Sequence, residues 1–572
     1  MAENRTPLHP HPHHGLRFPA REPGNPAGPD PVSSDGAEGE DQMQRRTFMG
    51  GGAAMAATAV TAACAPGGGP RPHAEGSGTG GRSGGAGEGT AGASGAAAGA
   101  GGSAAANWKA LARDLDGTLV RPGESTWAAA RQLYNTRFDS LRPAAVAYVS
   151  HADDIRTALS YARAHDLHVA IRNGGHSYAG WSSGDGSLVV DVSELSRVRA
   201  SGGEAVVGAG AKLIDVYRAL SAKGVTIPAG SCPTVGISGL TLGGGHGVVS
   251  RAYGLTCDSL TRATLVTADG RELTVDETRG DDLFWALRGA GNGNFGVVTE
   301  LRFRTHPAPQ AVTANMSWPW SRAAAVLTAW QEWGPDQPDE IWSACHLSNT
   351  AGGTPTVSVS AFSLGTYGEL QNAVDRLAAR VGASASGVSL RRRSYQESME
   401  VYAGCSSFAT GAQCHLPGST PGRSPEGALR RETYAARSDF FDRSIGAAGV
   451  RTLLARLAGM RGGTGSVALT ALGGAVNRVD PTATAFVHRR SRMLAQYLAA
   501  WRPGTSGADA RAWLTGTHTS MRPHASGAAY QNYTDPGLAD WRRAYYGSAA
   551  RRLRTVKEKY DPTGFFTFPQ SL

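Results

Sequence analysis

The segment PAGSCPTVGISGLTLGGGHGVVSRAYG, residues 228–254, carries eight glycines, and it limits the fold more than any other stretch. Glycine loses more conformational freedom on ordering than any other residue and brings no side chain to a core. Neither a helix nor a strand has enough side chains here to account for the sequence. So many glycines point to backbone passing close to something flat or bulky.

The surroundings are regular. AAVAYVS from Ala144 reads as a strand, DDIRTALSYARAHD as an amphipathic helix and LHVAIRN as a second strand, which is an α/β opening. SLVVDVSEL, EAVVGAG and ATLVTADG add short β-branched runs, with a helix at LIDVYRALSAKG. GVVTELRFRT reads as a strand, and the prolines after it mark a boundary. From about Thr313 to Arg522, helical stretches such as SRAAAVLTAWQEWG and VRTLLARLAGM mix with strand-like TVSVSAF and SVALTALGG. The aromatics interleaved there suit a domain that lines a cleft. The tail from Ala528 reads as a loop or strand, then one helix from Leu538 to Lys559, then a stop at DPTG.

The N-terminal part is different. Residues 1–64 end in DQMQRRTFMGGGAAMAATAVTAAC, where Arg45, Arg46 and Phe48 before a short run of small apolar residues have the form of a twin-arginine export signal. That run is too short and glycine-rich for a membrane span, and Cys64 at its end is a candidate lipid anchor. Residues 65–106, nearly all Gly, Ala and Ser, read as a disordered tether. The early LHPHPHH offers only weak metal binding, and no compact metal-ligand set follows it. The formal net charge of +9 is spread among carboxylates, without a basic block or a DNA-binding motif, so a nucleic-acid partner is not expected. The chain has six cysteines, too few for a disulfide-built fold. Cys405 and Cys414 sit between turn residues, and in an exported protein a local bridge is expected.

HExxH and P-loop patterns are absent, and the GxSxG spacing falls at 81–85 in the Gly/Ala/Ser tether and at 180–184 among turn residues, not at a strand-to-helix elbow, so the hydrolase and nucleotide-triphosphate readings lack support. GAGNGNFG at 289–296 precedes a strand instead of following one into a helix, so it is not a dinucleotide turn of the Rossmann kind. RNGGHS is more informative. Consecutive small residues after a strand can aim several backbone N–H groups at an anion, and Ser177 adds a hydroxyl. Arg172 offers charge. His176, and Cys232 in a separate glycine-rich loop, are each alone compatible with an ordinary turn residue.

Together these pieces resemble the berberine-bridge-enzyme-like flavoprotein oxidases, within the vanillyl-alcohol-oxidase type of FAD fold. The matching stretches are RNGGHSYAG at 172–180, CPTVGISGLTLGGGHGVVSRAYGLTCDSL at 232–260, LFWALRGAGNGNFGVVT at 283–299, YQNYTDP at 530–536 and the closing YDPTGFFTFPQ. The resemblance implies an α+β fold in which a two-part FAD-binding domain holds an inserted α/β substrate domain built on an antiparallel sheet. The expected boundaries are 107–312 for the FAD domain, 313–522 for the substrate domain and 523–572 for a segment returning to the first. It further implies FAD bonded through His176 to the flavin 8α-methyl and through Cys232 to flavin C6. By the same resemblance the cofactor is lined by Arg172, Asn173, Gly174, Gly175, His176, Ser177, Cys232, Thr234, Val235, Gly236, Gly239, Gly243, Gly244, Gly245, Gly247, Asn294, Gly296 and Val298.

The chemistry implied is oxidation of an alcohol or a carbohydrate hydroxyl by hydride transfer to flavin N5, with O2 reduced to H2O2. Imidazole and thiolate are nucleophiles suited to an electrophilic ring, and the redox work belongs to the cofactor. Tyr533 is the candidate base, with Tyr530 orienting it or binding substrate. A phenol with a pKa of about 10 needs help near neutrality, and the sequence does not show the helper. The family's alkaloid members use a glutamate, for which no equivalent is placed here. Val235 matches an oxygen-gate position, where a small side chain favours the oxidase. Tyr134 is a further aromatic without an assigned role. The other readings are a tailoring oxidase for a glycosylated secondary metabolite, an FAD dehydrogenase with a non-oxygen acceptor, and a non-catalytic extracellular binding protein. The partners expected are a small-molecule substrate and O2, and nothing in the sequence specifies an oligomeric state.

Overall fold

The computed structural model describes residues 107–572; the export signal, the candidate anchor Cys64 and the tether lie outside them. Among the described residues no helix is long and apolar enough to cross a membrane.

The first sheet has four strands in the order Thr118–Val120, Ala145–Tyr148, Leu188–Asp191, Val169–Arg172. The last three run parallel and the first antiparallel. Ala145–Tyr148 and Leu188–Asp191 are buried at every position, which is why they read as unbroken apolar runs and not as alternating ones. The helix Ala152–Ala164 covers this sheet with Ile155, Ala158, Leu159 and Ala162, an i, i+3, i+4, i+7 stripe. Asp154 in its first turn accepts from the backbone N–H groups of Ser150, Asp116 and Gly117, tying the chain entry to the helix start. A five-stranded antiparallel sheet follows, in the order Val198–Ser201, Glu204–Gly208, Val297–Arg304, Leu260–Val266, Glu272–Val275.

The second region is a seven-stranded, wholly antiparallel sheet. Its order is Gly387–Arg393, Ala311–Trp318, Thr356–Ser363, Ile341–Thr350, Thr464–Ala471, Met493–Ala500, Tyr434–Phe441. The period of two along each strand divides its faces. Cys345 and Leu347, Val467 and Leu469, Ala495 and Tyr497 enter the core beneath the helices. Trp342 and Ala344 belong instead to the core shared with the first region.

Two expectations are corrected. The glycine-rich passage does contain helix, at Ile237–Leu242 and Ser250–Tyr253; its helical turns are closed by packing against neighbours and not by propensity. The C-terminal helix is two, Trp541–Tyr546 and Ala550–Tyr560, because Gly547 takes a φ of 44° and the turn Gly547–Ala549 redirects the chain. Cys405 and Cys414 are disulfide-bonded, with Cα atoms 5.7 Å apart.

Arg251, from the second of those short helices, is buried in the seven-stranded region. It donates to the carbonyl oxygens of Ile341 and Pro335 at 2.9 Å and to those of Leu472 and Gln337. One guanidinium thereby satisfies four carbonyls, three of them on buried residues, and ties the two regions together. Arg251→Met, similar in length but without donors, is expected to lower unfolding free energy by about 3 kcal/mol or more, read as a fall in the urea midpoint.

Candidate functional site

The strand Val169–Arg172 delivers RNGGHS to the rim of a large cavity between the two regions. Arg172 sits opposite Asp191 in the parallel register and pairs with it at 2.5 Å, both fully buried. Burial works against that guanidinium's charge, but Asp191 more than offsets it. Arg172 thus spends its charge on the fold, although it also lines the cavity.

Next to it, two loops interlock. A Cβ on Gly174 would stand 2.3 Å from the Thr234 carbonyl oxygen, and one on Gly236 would stand 2.1 Å from the Asn173 side chain. Asn173 donates to the Ala209 carbonyl at 2.5 Å and accepts from Lys212 Nζ at 2.6 Å; Lys212 also donates to Ser193 Oγ and the Gly210 carbonyl. Pro233 and Val235 in turn offer their carbonyls to the N–H groups of Ile214 and Leu213, the first of the helix Leu213–Ser221. That helix has no side-chain cap of its own, so the CPTVG loop caps it.

His176 is held in this lock. Its Nε2 lies 2.8 Å from Thr234 Oγ1, and its ring stacks on Tyr134 at 4.0 Å and 19°. Burial first, and the Lys212 charge second, pull its pKa down to about 3, so the imidazole is neutral near pH 7. Cys232 shares the same cavity wall. Tyr134 therefore supports His176 from behind and does not face the cavity.

Tyr533 lines the same cavity. Its ring lies parallel to Tyr178 at 5.2 Å and edge-on to Tyr530 at 5.0 Å. Its hydroxyl is 2.8 Å from His246 Nε2. Burial raises the Tyr533 phenol above its usual range and lowers His246 to about 4. The Tyr530 hydroxyl accepts from the Gly245 N–H at 2.8 Å and from Asn532 Nδ2 at 2.9 Å, so it braces the glycine turn.

The sheet supplies the remaining wall. Ala344, Thr470 and Leu494 are successive cross-strand neighbours, as are Ala468 and Gln496, and all five reach the cavity with Trp342, Tyr402 and Tyr434. Gln496 donates to the Tyr178 hydroxyl at 2.5 Å. Among the described residues no Asp, Glu or Lys lines the cavity.

Of the residues expected at the cofactor, Asn173, Gly174, Gly175, Ser177, Val235, Gly236, Gly239, Gly247, Gly296 and Val298 line this cavity together with Arg172, His176 and Cys232. Thr234 acts through His176. Gly243, Gly244 and Gly245 do not line it: a Cβ there would strike Asn532, Phe486 and Thr256 respectively. Their bareness admits neighbouring protein. Asn294 is likewise displaced. It bonds to the Ala290 carbonyl and the Leu572 N–H and gives its own carbonyl to Lys557, which anchors the C-terminus. Sequence reasoning missed Tyr178, His246, Gln496 and Trp342 as cavity residues. Tyr178 and His246 stood in quoted motifs, whereas Gln496 and Trp342 needed the strand register.

The cavity also fits a flavin dinucleotide. Among the described residues, none of the N–H groups of Gly174, Gly175, His176 and Ser177 donates to the protein, leaving a nest of donors for a diphosphate. On the cavity lining, Gln531 Oε1, Asn292 Oδ1 and Gln570 Oε1 are buried without partners. Such polar atoms call for a polar occupant.

A cavity between an α/β dinucleotide cradle and an aromatic-lined antiparallel sheet defines a flavin-dependent oxidoreductase. Residues 143–276 match the FAD binding domain model, and residues 529–572 match the model described as Berberine and berberine like. The chain is 31% identical over 465 residues to Uncharacterized FAD-linked oxidoreductase YgaK of Bacillus subtilis, covering 80% of this chain and 97% of that one. It is 29% identical to Chitooligosaccharide oxidase of Gibberella zeae, over 79% of this chain and 91% of that one. Physcomitrella patens BBE-like 1 has the same architecture, with a TM-score of 0.74 at 30% identity over 81% of this chain and 98% of that one. The chain belongs to the berberine-bridge-enzyme-like FAD-linked oxidase family, of the vanillyl-alcohol-oxidase type, and it is an FAD-linked oxidoreductase.

The interlock can be broken at one atom. Gly174→Ala is expected to push the Thr234 backbone away and to lower the 450 nm flavin absorbance per protein severalfold. Gly239→Ala, with nothing within 4 Å of its Cβ, is expected to leave the fold intact, as judged by melting temperature.

Proposed function

We propose that the protein is an exported oxidase carrying bicovalently attached FAD, which oxidises an alcohol or a carbohydrate hydroxyl and passes the electrons to O2. The observation that carries the reading is that His176, Cys232 and Tyr533 line one cavity. Since Nε2 of His176 is engaged by Thr234, Nδ1 is the nitrogen left for the flavin 8α position. Cys232 would take flavin C6. Bound there, FAD supplies the two-electron acceptor that no side chain provides.

Tyr533 would take the substrate's hydroxyl proton on its phenolic oxygen. Tyr530 fixes the loop behind it, and Tyr178 with Gln496 fixes the ring in front. The absence of carboxylates and lysines from the described lining suits a neutral substrate, and Trp342, Tyr402 and Tyr434 offer flat apolar faces for sugar rings. Chitooligosaccharide oxidase among the relatives favours the carbohydrate reading. The same lining argues against a base of the glutamate kind, and therefore against ring closure at an N-methyl group. A tailoring oxidase for a glycosylated metabolite uses the same walls. Val235, at the cavity edge beside Cys232, leaves room for oxygen, which favours the oxidase over the dehydrogenase. Export by the twin-arginine route, with or without a lipid on Cys64, rests on the N-terminal sequence.

Peptide mass spectrometry of the yellow protein tests the anchoring. Flavin is expected on both the His176 and Cys232 peptides; flavin on neither would sink the covalent model. Val235→Leu is expected to slow reoxidation of reduced flavin by O2 at least tenfold while leaving anaerobic reduction within about twofold, both by stopped flow.

A further inference from the structure

Resting on the reading of Tyr533 as the base, we infer that His246 is the group that receives the proton Tyr533 gives up, so that the pair works as a relay. Tyr533 is buried, and burial holds its phenol protonated well above neutrality. A resting phenolate is therefore scarce near pH 7. The phenol can still accept a substrate proton if its own proton departs in the same event. That requires an acceptor within hydrogen-bond reach.

Among the described residues one cavity neighbour meets the requirement. The Tyr530 hydroxyl already accepts two hydrogen bonds, from Gly245 and Asn532. The Tyr178 oxygen is taken by Gln496. The imidazole Nε2 of His246 lies 2.8 Å from the Tyr533 oxygen. Its other nitrogen, Nδ1, is buried without a partner, so among the described residues nothing else holds this ring in one tautomer. Among the described residues the titratable groups facing the ring are Tyr530, at 5.4 Å and 61°, and Tyr533 itself; Cys257 lies beyond, against Tyr530. Burial alone lowers its pKa to about 4, with no carboxylate or cation contributing.

A weak base suffices here. As hydride leaves the substrate carbon, the substrate oxygen becomes that of a protonated carbonyl, a far stronger acid than imidazolium. The step balances as follows. The substrate C–H and O–H bonds break and a carbonyl π bond forms; the electron pair leaves with the hydride to oxidised FAD. The hydroxyl proton moves to the Tyr533 oxygen, and the former Tyr533 proton moves to His246 Nε2. Tyr533 ends as it began, a phenol. His246 acts through Tyr533 and is a positioning residue with a proton to hold.

The test uses full-length flavin-loaded protein as wild type, His246→Gln, Tyr533→Phe and the double variant. Gln can keep a hydrogen bond to Tyr533 but cannot take its proton. Cellobiose, a neutral disaccharide, is the probe, and anaerobic bleaching of the flavin is followed from pH 3 to pH 8. In wild type, the rate at low cellobiose is expected to fall with acid through about pH 4, because protonated His246 cannot accept. In His246→Gln that limb is expected to disappear and the rate to drop about 100-fold or more, with the double variant no slower than Tyr533→Phe. A His246→Gln rate within about threefold of wild type, with the acid limb retained and Tyr533→Phe slow, overturns the relay and leaves the base. A normal rate in Tyr533→Phe removes the base itself. Nitrogen-15 histidine spectra decide without any substrate: His246 is expected with its proton on Nδ1, and a proton found on Nε2 at pH 7 overturns the proposal.

Discussion

The site depends on two loops from distant parts of the sequence being held backbone to backbone. Gly174 and Gly236 leave no room for a side chain between RNGGHS and CPTVG, and the space is closed by Asn173 and Lys212. A buried ammonium is expensive unless its hydrogens are all used. Lys212 uses three, on Asn173, Ser193 and the Gly210 carbonyl. Burial still lowers its pKa to about 8, partly opposed by Asp191 and Asp215, so it remains mostly charged at pH 7. That charge lies near enough to His176 to add to the burial that keeps the imidazole neutral. The structural lock and the nucleophilic state of His176 thus have a common cause. A neutral imidazole has a lone pair, and an imidazolium has none to give.

The second constraint is the period of two in the seven-stranded sheet. Alternate residues of Ile341–Thr350, Thr464–Ala471 and Met493–Ala500 fill the core under the helices. The intervening ones, Ala344, Thr470, Leu494, Ala468 and Gln496, form an almost uncharged floor. A slip of one residue in Met493–Ala500 would turn Gln496 into the core under the helices, and one in Thr464–Ala471 would turn Val467 and Leu469 into the cavity. Register is therefore part of specificity. The small residues Ala344 and Ala468 make room above the floor, while Trp342 and Tyr402 bound it at the sides.

Much of this was legible in the chain. The parallel strands declared themselves as unbroken apolar runs, and the RNGGHS and CPTVG loops as glycine flanking a single nucleophile. The glycines themselves were harder to read. Bare backbone means close approach, but not by what: Gly239 faces the cavity, whereas Gly243 faces Asn532 and Gly244 faces Phe486. Asn294, expected at the cofactor, is bonded to the C-terminal residue Leu572. His246 was in plain view within GGGHG, yet its role depends on Tyr533, 287 residues away. A polar residue in a turn carries no signal about a partner so distant in sequence. Gln496 and Trp342 sit on strands whose alternation shows two faces but not which of them is wet.

Two neutral imidazoles in one cavity, His176 and His246, owe their state to the same burial, but their surroundings divide their work. His176 is clamped, with Tyr134 stacked on its face and Thr234 on Nε2, so one nitrogen is committed and the ring cannot turn. Such a ring suits a permanent bond. Among the described residues, His246 has Tyr533 on one nitrogen and nothing on the other. Such a ring can change its protonation without breaking a second contact, which suits a transient proton. A buried imidazolium stays unfavourable without a counter-charge. With no carboxylate on the described lining, FAD reduced at this site would supply the compensating negative charge, and proton arrival at His246 would then be favoured by electron arrival at the cofactor.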